Sequence, residues 1–262
     1  MEKYQTIKFE IKDQVATVWL NRPEVHNAFN EVMISEVIDV FENINTLEEI
    51  RVVVIRGNGK SFCAGADLNW MRDVEKYSYE ENYNESLNVS KCFYTIYTCK
   101  KPTIVIVHGA AIGGANGFIT ACDFAYAENE AVFSLSEVKI GIIPACVSPY
   151  VIKRVGEYAA KELMITGKRI NGKEAEEFRL VNQAIEKDRL ENYVNSIIEV
   201  IISGGPNAIS KCKDLIINVS NKLTLEEAGE YTAKMIADIR TSNEGQEGMA
   251  AFFEKRKPKW AK

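Results

Sequence analysis

The chain has 262 residues, 46% hydrophobic and 26% charged, which is an ordinary globular composition with material for one large domain or one domain with an appendage. A net charge of −5 argues against a surface built mainly for nucleic acid or anionic membrane. No apolar run approaches the roughly 18 residues of a membrane span, and the start, Met1-Glu-Lys-Tyr-Gln-Thr-Ile-Lys8, lacks both the apolar core of a secretion signal and the arginines of a transit peptide. A cytoplasmic protein is expected. Six cysteines (63, 92, 99, 122, 146, 212) without a CxxC pair read as free, mostly inert core thiols. With only His26 and His108, a histidine-rich metal site is excluded, and both histidines read as structural.

Residues 5–10 and 15–20 read as paired strands around Lys12-Asp13-Gln14, and Asn21-Arg-Pro-Glu24 ends the second. From Asn30, the helical spacing of Val32, Met33, Val37, Ile38, Phe41 and Ile44 predicts an amphipathic helix. Arg51-Val-Val-Val-Ile-Arg56 follows as a buried strand closed by Gly57-Asn-Gly59. The order strand, strand, helix, strand suggests repeated right-handed β–β–α turns. Lys60-Ser-Phe-Cys-Ala-Gly-Ala-Asp-Leu-Asn-Trp-Met71 is too rich in small residues for ordinary core. Gly59-Lys60-Ser61 looks like the end of a phosphate loop, but Val54 stands where that motif needs its first glycine, so a Walker site is rejected. Residues 72–100 form a polar, tyrosine-rich helical region, whose weakly periodic part over 76–85 reads as a mobile loop over a site.

After Pro102, the β-branched run Ile104-Val-Ile-Val107 predicts a strand buried on both faces. His108 and Gly109 end it, small residues follow, and 116–122 reads as a buried helix. Gly113 and Gly114 then lie where a strand hands over to a helix start. Backbone N–H groups there lack helical partners, and glycine admits close approach by another molecule. Residues 124–127 and 131–134 are short strands, 135–149 is mostly loop, and 154–166 is a helix ending at Gly167. From about 188 the character turns helical, over 189–203, 206–219, 224–240 and 243–256, with Met249, Phe252 and Phe253 on one apolar side of the last. The expected division is a core over 1–187 and a helical appendage over 188–262.

Two segments share one type, Ala64-Gly65-Ala66-Asp67 and Ile112-Gly113-Gly114-Ala115: each is a small-residue turn between a β-rich stretch and a helix. Paired backbone donors from two such turns make an oxyanion hole, each donor contributing about 2.7–4 kcal/mol. The chain resembles the crotonase superfamily of enoyl-CoA hydratases and isomerases over nearly its whole length. The resemblance rests on Asn21-Arg-Pro-Glu-Val-His-Asn-Ala28, Phe62-Cys-Ala-Gly-Ala-Asp67, the Gly113-Gly114 turn and Phe133-Ser-Leu-Ser-Glu137. It continues through Thr166-Gly-Lys-Arg-Ile170, Ala175 with Leu180-Val181, and Glu247-Gly-Met249 with Phe253-Glu-Lys-Arg256. It implies an α/β fold, a spiral of ββα turns with a C-terminal helical trimerisation region, assembled as a homotrimer or dimer of trimers. It also implies an acyl-CoA thioester as substrate, its carbonyl oxygen between the N–H groups of Ala66 and Gly114, and no cofactor beyond that coenzyme A.

In the family's hydratases two glutamates handle the proton. Here the second is Glu137, while the first position is Gly117, a departure that leaves room at the β-carbon for a methyl group or water. Phe133 to Tyr150 together with Asn116-Gly117 looks closest to a branch acting on 3-methylglutaconyl-type substrates. That branch holds hydratases of the CoA ester in leucine breakdown and dehydratases of carrier-protein-bound 3-hydroxy-3-methylglutaryl groups; Cys63 to Met71 leans toward the hydratase. A one-glutamate enoyl-CoA isomerase and a non-catalytic acyl-CoA-binding subunit remain the alternatives. By the same resemblance Ala64 to Leu68 reads adenine through its backbone, Asp67 braces the oxyanion turn, and Phe252 and Lys255 reach the nucleotide, often across a subunit boundary.

Overall fold

Residues 3–261 are described by a computed structural model. Met1, Glu2 and Lys262, the outermost residues of the N-terminal stretch and helical tail read above, lie outside the described residues. Strands β1 (Ile7–Lys12) and β2 (Val15–Leu20) form an antiparallel hairpin with Lys12 opposite Val15. Its turn is the pair Asp13-Gln14, both at positive φ (49° and 70°), the twist a two-residue hairpin prefers. Helix α1 (Glu31–Ile44) starts where the Asn30 side chain accepts the Met33 N–H at 3.0 Å. It buries Met33, Ile34, Val37, Ile38, Val40, Phe41 and Ile44. Val32, expected on that face, is turned to solvent.

Strands β3 (Val52–Gly57), β4 (Thr103–Val107), β6 (Phe124–Glu128) and β8 (Gln183–Ile185) complete a six-stranded sheet in the order β1-β2-β3-β4-β6-β8, parallel beyond the first pair. A second layer pairs β5 (Ala110–Ile112) with β7 (Val132–Ser134), extended by single bridges from Cys63 to Ala111 and from Phe133 to Ile170. Each circuit runs from a strand of the large sheet to one of the small layer and then to a helix. The circuit β4, β5, α4 (Ala115–Ala121) shows it, and β6, β7, α5 (Ser148–Thr166) repeats it. The fold is therefore α/β and a spiral of ββα turns. Val53, Ile55, Val105 and Val107 face α1 and α4, while Val52, Val54, Ile104 and Ile106 pack against Leu190 and Val194 of α7 (Lys187–Ser203). Burial on both faces is why these strands read as unbroken apolar runs.

Several elements differ from the sequence reading. The loop expected over 76–85 is only the short link between α2 (Leu68–Val74) and α3 (Tyr79–Tyr97). Ser78 and Glu81 form a reciprocal capping box that starts α3 early, on residues too solvated to show a periodic pattern. Helix α5 begins at Ser148 rather than 154, because Gly156 (φ 78°, ψ 163°) breaks the helical pattern midway. Helix α6 (Gly172–Glu177) and β8 are too short to leave a signal.

Helix α7 covers the second face of the sheet. Beyond it lie α8 (Pro206–Asn221), α9 (Leu225–Thr241) and α10 (Asn243–Phe253). Lys213 of α8 is tied to Asp123 of the core at 2.7 Å. Helices α9 and α10 pack on each other and on α8, burying only Ala228 and Ala251. Phe252 and Phe253 are each 78% exposed. Among the described residues no helix is long and apolar enough to cross a membrane.

Candidate active site

The first small-residue turn is held from behind by residues 22–29. Asn27, fully buried at φ 56°, donates to the carbonyls of Asn58 (2.7 Å) and Ser61 (2.8 Å) and accepts the Arg22 N–H at 2.8 Å. Arg22 pairs through Nη2 with Asp67 at 2.7 Å and donates through Nη1 to the Ala28 carbonyl. Asp67 also accepts the N–H groups of Asn69 and Trp70, which caps α2. Burial pushes the Asp67 carboxyl up, but Arg22 and the two helix N–H groups outweigh it and hold the pKa below the usual carboxylate range.

Phe29 fixes the direction of the turn. Its N–H donates to the Gly65 carbonyl at 2.8 Å and its carbonyl accepts the Asp67 N–H at 2.9 Å. In a trans peptide the carbonyl and the following N–H point opposite ways. The Gly65 carbonyl faces Phe29, so the Ala66 N–H faces away, and the hydrogen bonds of the described residues leave it without an acceptor. The second turn repeats the device. Gly113, at φ 55°, donates to the Ser134 carbonyl at 2.7 Å, and its own carbonyl accepts the Asn116 N–H at 3.0 Å. The Gly114 N–H is thereby turned outward, and it too has no acceptor among the described residues.

The two turns touch. Cys63 donates to Ala110 at 3.0 Å and accepts from Ile112 at 3.1 Å, and a Cβ on Gly65 (φ 99°) would lie 2.8 Å from the Ile112 carbonyl oxygen. The Phe29 ring lies against Gly114, where a Cβ would come within 2.7 Å of it. Both contacts demand glycine. The carboxyl beside them is Glu137, first residue of a 3₁₀ turn (Glu137–Ile140). A Cβ on Gly113 would lie 3.3 Å from Glu137 Oε1. Oε2 is buried without a hydrogen-bond partner. Burial pushes the Glu137 pKa up against the pull of its own backbone N–H, the direction that suits a carboxyl to give and take a proton.

Gly117 requires a correction. It is fully buried in α4, and a Cβ there would overlap the ring of Phe93. The room expected above it is filled by an aromatic side chain, itself packed edge-on against Phe118 and Tyr150. As packed here, Phe93 stands where a larger side chain at 117 would go, and it would have to move to make room. Beyond Phe29 the Trp70 ring packs edge-on at 5.8 Å, with its Nε1 buried and unpartnered. Trp70 opens onto a chamber of about 360 Å³ whose lining includes Glu31, Tyr77, Glu81 and Glu85 and no basic side chain. Burial and the neighbouring Glu31 push the Glu85 pKa up.

The remaining candidates spread outward. Ala64 is exposed with its N–H on the His26 carbonyl (2.9 Å), and Leu68 is 71% exposed. Phe252 lies in α10 and Lys255 just after it, in the helical tail. His26 bonds Ser61 Oγ at 3.1 Å and His108 the Gly59 carbonyl at 3.0 Å, each bracing a turn. Cys63, Cys92, Cys99 and Cys122 are buried, and burial pushes the Cys63 and Cys122 thiols up to about 12. Cys212 is exposed on α8, contrary to a core reading, because that helix buries none of its residues. Among the described residues no three His, Cys, Asp or Glu side chains gather as a metal site. Arg22, Phe29 and Phe93 were not singled out from the sequence; Arg22 carried a signal as a charge set among the turn residues 21–28, whereas the two phenylalanines looked like ordinary core.

Residues 10–262 match the family model described as enoyl-CoA hydratase/isomerase. A crotonyl-CoA hydratase of Syntrophomonas wolfei is 32% identical over 256 residues, covering 97% of each chain. A peroxisomal Delta(3,5)-Delta(2,4)-dienoyl-CoA isomerase of Arabidopsis thaliana is 30% identical over 276 residues, covering 100% of this chain and 99% of that one. The crystal structure of an enoyl-CoA hydratase from Shewanella pealeana superposes with a TM-score of 0.94 at 39% identity, over 98% of this chain and 97% of that one.

Proposed function

The chain belongs to the enoyl-CoA hydratase/isomerase family, the crotonase superfamily, and from that premise we propose that it reversibly adds water to a short, branched or carboxylated 2-enoyl thioester of the 3-methylglutaconyl-CoA type. The observation that carries this reading is the unpartnered Glu137 carboxylate oxygen beside Gly113, next to two turns whose N–H groups have no acceptor. In the proposed mechanism the thioester oxygen accepts from Ala66 and Gly114. Glu137 takes a proton from water as the hydroxyl adds to the β-carbon, the charge passes to the enolate oxygen between the two donors, and Glu137 returns the proton to the α-carbon. With Phe93 over Gly117, one carboxyl does both steps.

The same single carboxyl favours a second reading, an isomerase that moves one proton between the α- and γ-carbons, and one of the relatives above is named an isomerase. The proposal further includes coenzyme A held along Ala64, Asp67 and Leu68, with Phe252 and Lys255 supplied by a neighbouring subunit of a homotrimer or dimer of trimers. It takes no cofactor beyond the coenzyme A of the substrate and works in the cytoplasm. The test is a turnover screen of crotonyl-, 3-methylcrotonyl-, 3-methylglutaconyl- and 3-enoyl-CoA with a carrier-protein-bound 3-hydroxy-3-methylglutaryl substrate alongside. Loss of the enoyl absorbance with water incorporation supports the hydratase. A shifted double bond without water gives the isomerase, and turnover only on the carrier gives the dehydratase. Binding without turnover on any of them leaves a non-catalytic acyl-CoA-binding subunit.

A further inference from the structure

Asn116 is a fully buried amide in the first turn of α4. Its Nδ2 donates to the Gly113 carbonyl at 2.8 Å and to the Ser134 carbonyl at 3.0 Å, with the Ala111 carbonyl at 3.5 Å. Its Oδ1 is buried and accepts nothing. Three surrounding carbonyls require the nitrogen to face them. A buried amide that leaves its acceptor unmet is a poor choice for stability alone, so the targets of its donors are what matter. The Gly113 carbonyl belongs to the same peptide plane as the Gly114 N–H. Ser134 ends β7, three residues before Glu137, and its carbonyl also accepts the Gly113 N–H.

We propose that Asn116 is a positioning residue that clamps the Gly113–Gly114 peptide plane and ties it to the strand leading into Glu137, so that oxyanion donor and carboxyl keep one fixed separation. The inference rests on the proposed oxyanion role of Gly114. Without the side-chain bond the Gly113 carbonyl keeps only the backbone bond from Asn116, and a rocking peptide plane swings the Gly114 N–H off its target. Ground-state binding, made by the rest of the acyl-CoA contacts, is indifferent to that motion; transition-state stabilisation is not.

The experiment compares wild type, Asn116→Ala and Asn116→Ser on the enoyl-CoA that the wild type turns over best. Serine leaves much the same hole but keeps a hydroxyl that can donate to the carbonyl three residues back. The expected order of kcat is wild type, then serine, then alanine, with alanine about 10- to 100-fold down and KM within about threefold of wild type on this proposal. A second readout uses acetoacetyl-CoA, whose enolate absorbs in the near ultraviolet: the bound enolate band weakens in the same order while affinity for saturated butyryl-CoA holds. Melting temperatures separate the effect from simple loosening, since alanine and serine should melt alike. If alanine does not fold, serine against wild type carries the same comparison. Equal kcat and equal enolate bands in a folded alanine variant overturn the role of Asn116 and leave the oxyanion reading standing. No enolate band and no turnover in the wild type overturn the oxyanion reading and the clamp together.

Discussion

Glu137 carries opposed demands of stability and chemistry. Its pKa is raised because the fold withdraws water from its charged form. The folded chain holds that proton more tightly than the unfolded one, so stability falls as pH rises from about 4.3 through the raised value, and the full penalty applies above it. Glu137→Gln should therefore melt about 1–3 °C higher at pH 7 while losing about 10²–10⁴ in kcat, checked by calorimetry and steady-state rates on one preparation. The acid limb of the wild-type kcat/KM profile should likewise lie above the range of an exposed glutamate. Asp67 has the opposite sign. Its lowered pKa gives stability that is full above about 3.9 and is lost as pH falls through the folded value. Arg22→Ala leaves that nearly buried carboxylate unpaired. The expected result is a loss of about 3 kcal/mol at pH 7 and acid unfolding that begins at higher pH, read from urea midpoints across a pH series.

At the scale of elements, α3 shows how a helix can be well formed and still hard to read. Its buried residues, Cys92, Phe93 and Ile96, all lie toward its C-terminal end. The N-terminal half is solvated, so its start depends on the Ser78 capping box rather than on an apolar stripe. Ser78→Ala should cost about 1 kcal/mol and speed amide exchange at the start of α3 more than in α1, a contrast that hydrogen-exchange mass spectrometry resolves. The same physics decides what was legible. Strands 52–57 and 103–107 stood out because both faces are buried, and the two glycine corners stood out because small residues cluster there. Gly156 hid the first part of α5, and β8, three residues long, left too little pattern. At the site, the two turns showed as small-residue clusters, whereas Glu137 was marked out only through the family resemblance. Phe29 over Gly114 and Phe93 over Gly117 were not, because each joins residues distant in the chain that look unremarkable alone.

Across the molecule, the residues proposed for catalysis sit in the spiral, and the tail carries large exposed apolar groups of its own. Leu225 is 94% exposed, Phe252 and Phe253 are each 78% exposed, and Met249 and Ile236 are exposed as well. In the proposed trimer or dimer of trimers this surface is covered by other copies, which also lets Phe252 and Lys255 reach a neighbour's nucleotide. Sedimentation should give a trimer or hexamer, and the double variant Phe252→Asp/Phe253→Asp should shift it toward monomer and make melting depend on protein concentration. A monomeric wild type at micromolar concentration would remove the subunit-shared part of the nucleotide site.

The ring of Phe93 above Gly117 also has a consequence for mutation. A carboxylate there needs two changes together: glutamate at 117 meets the ring as packed, and losing the ring alone opens a hole worth about 3–5 kcal/mol. Each change is harmful by itself and less so in the presence of the other, a pattern of epistasis that a saturation map of the two codons would display directly. On the proposed one-carboxyl mechanism, the packing of one phenylalanine would thus hinder the return of a second carboxylate.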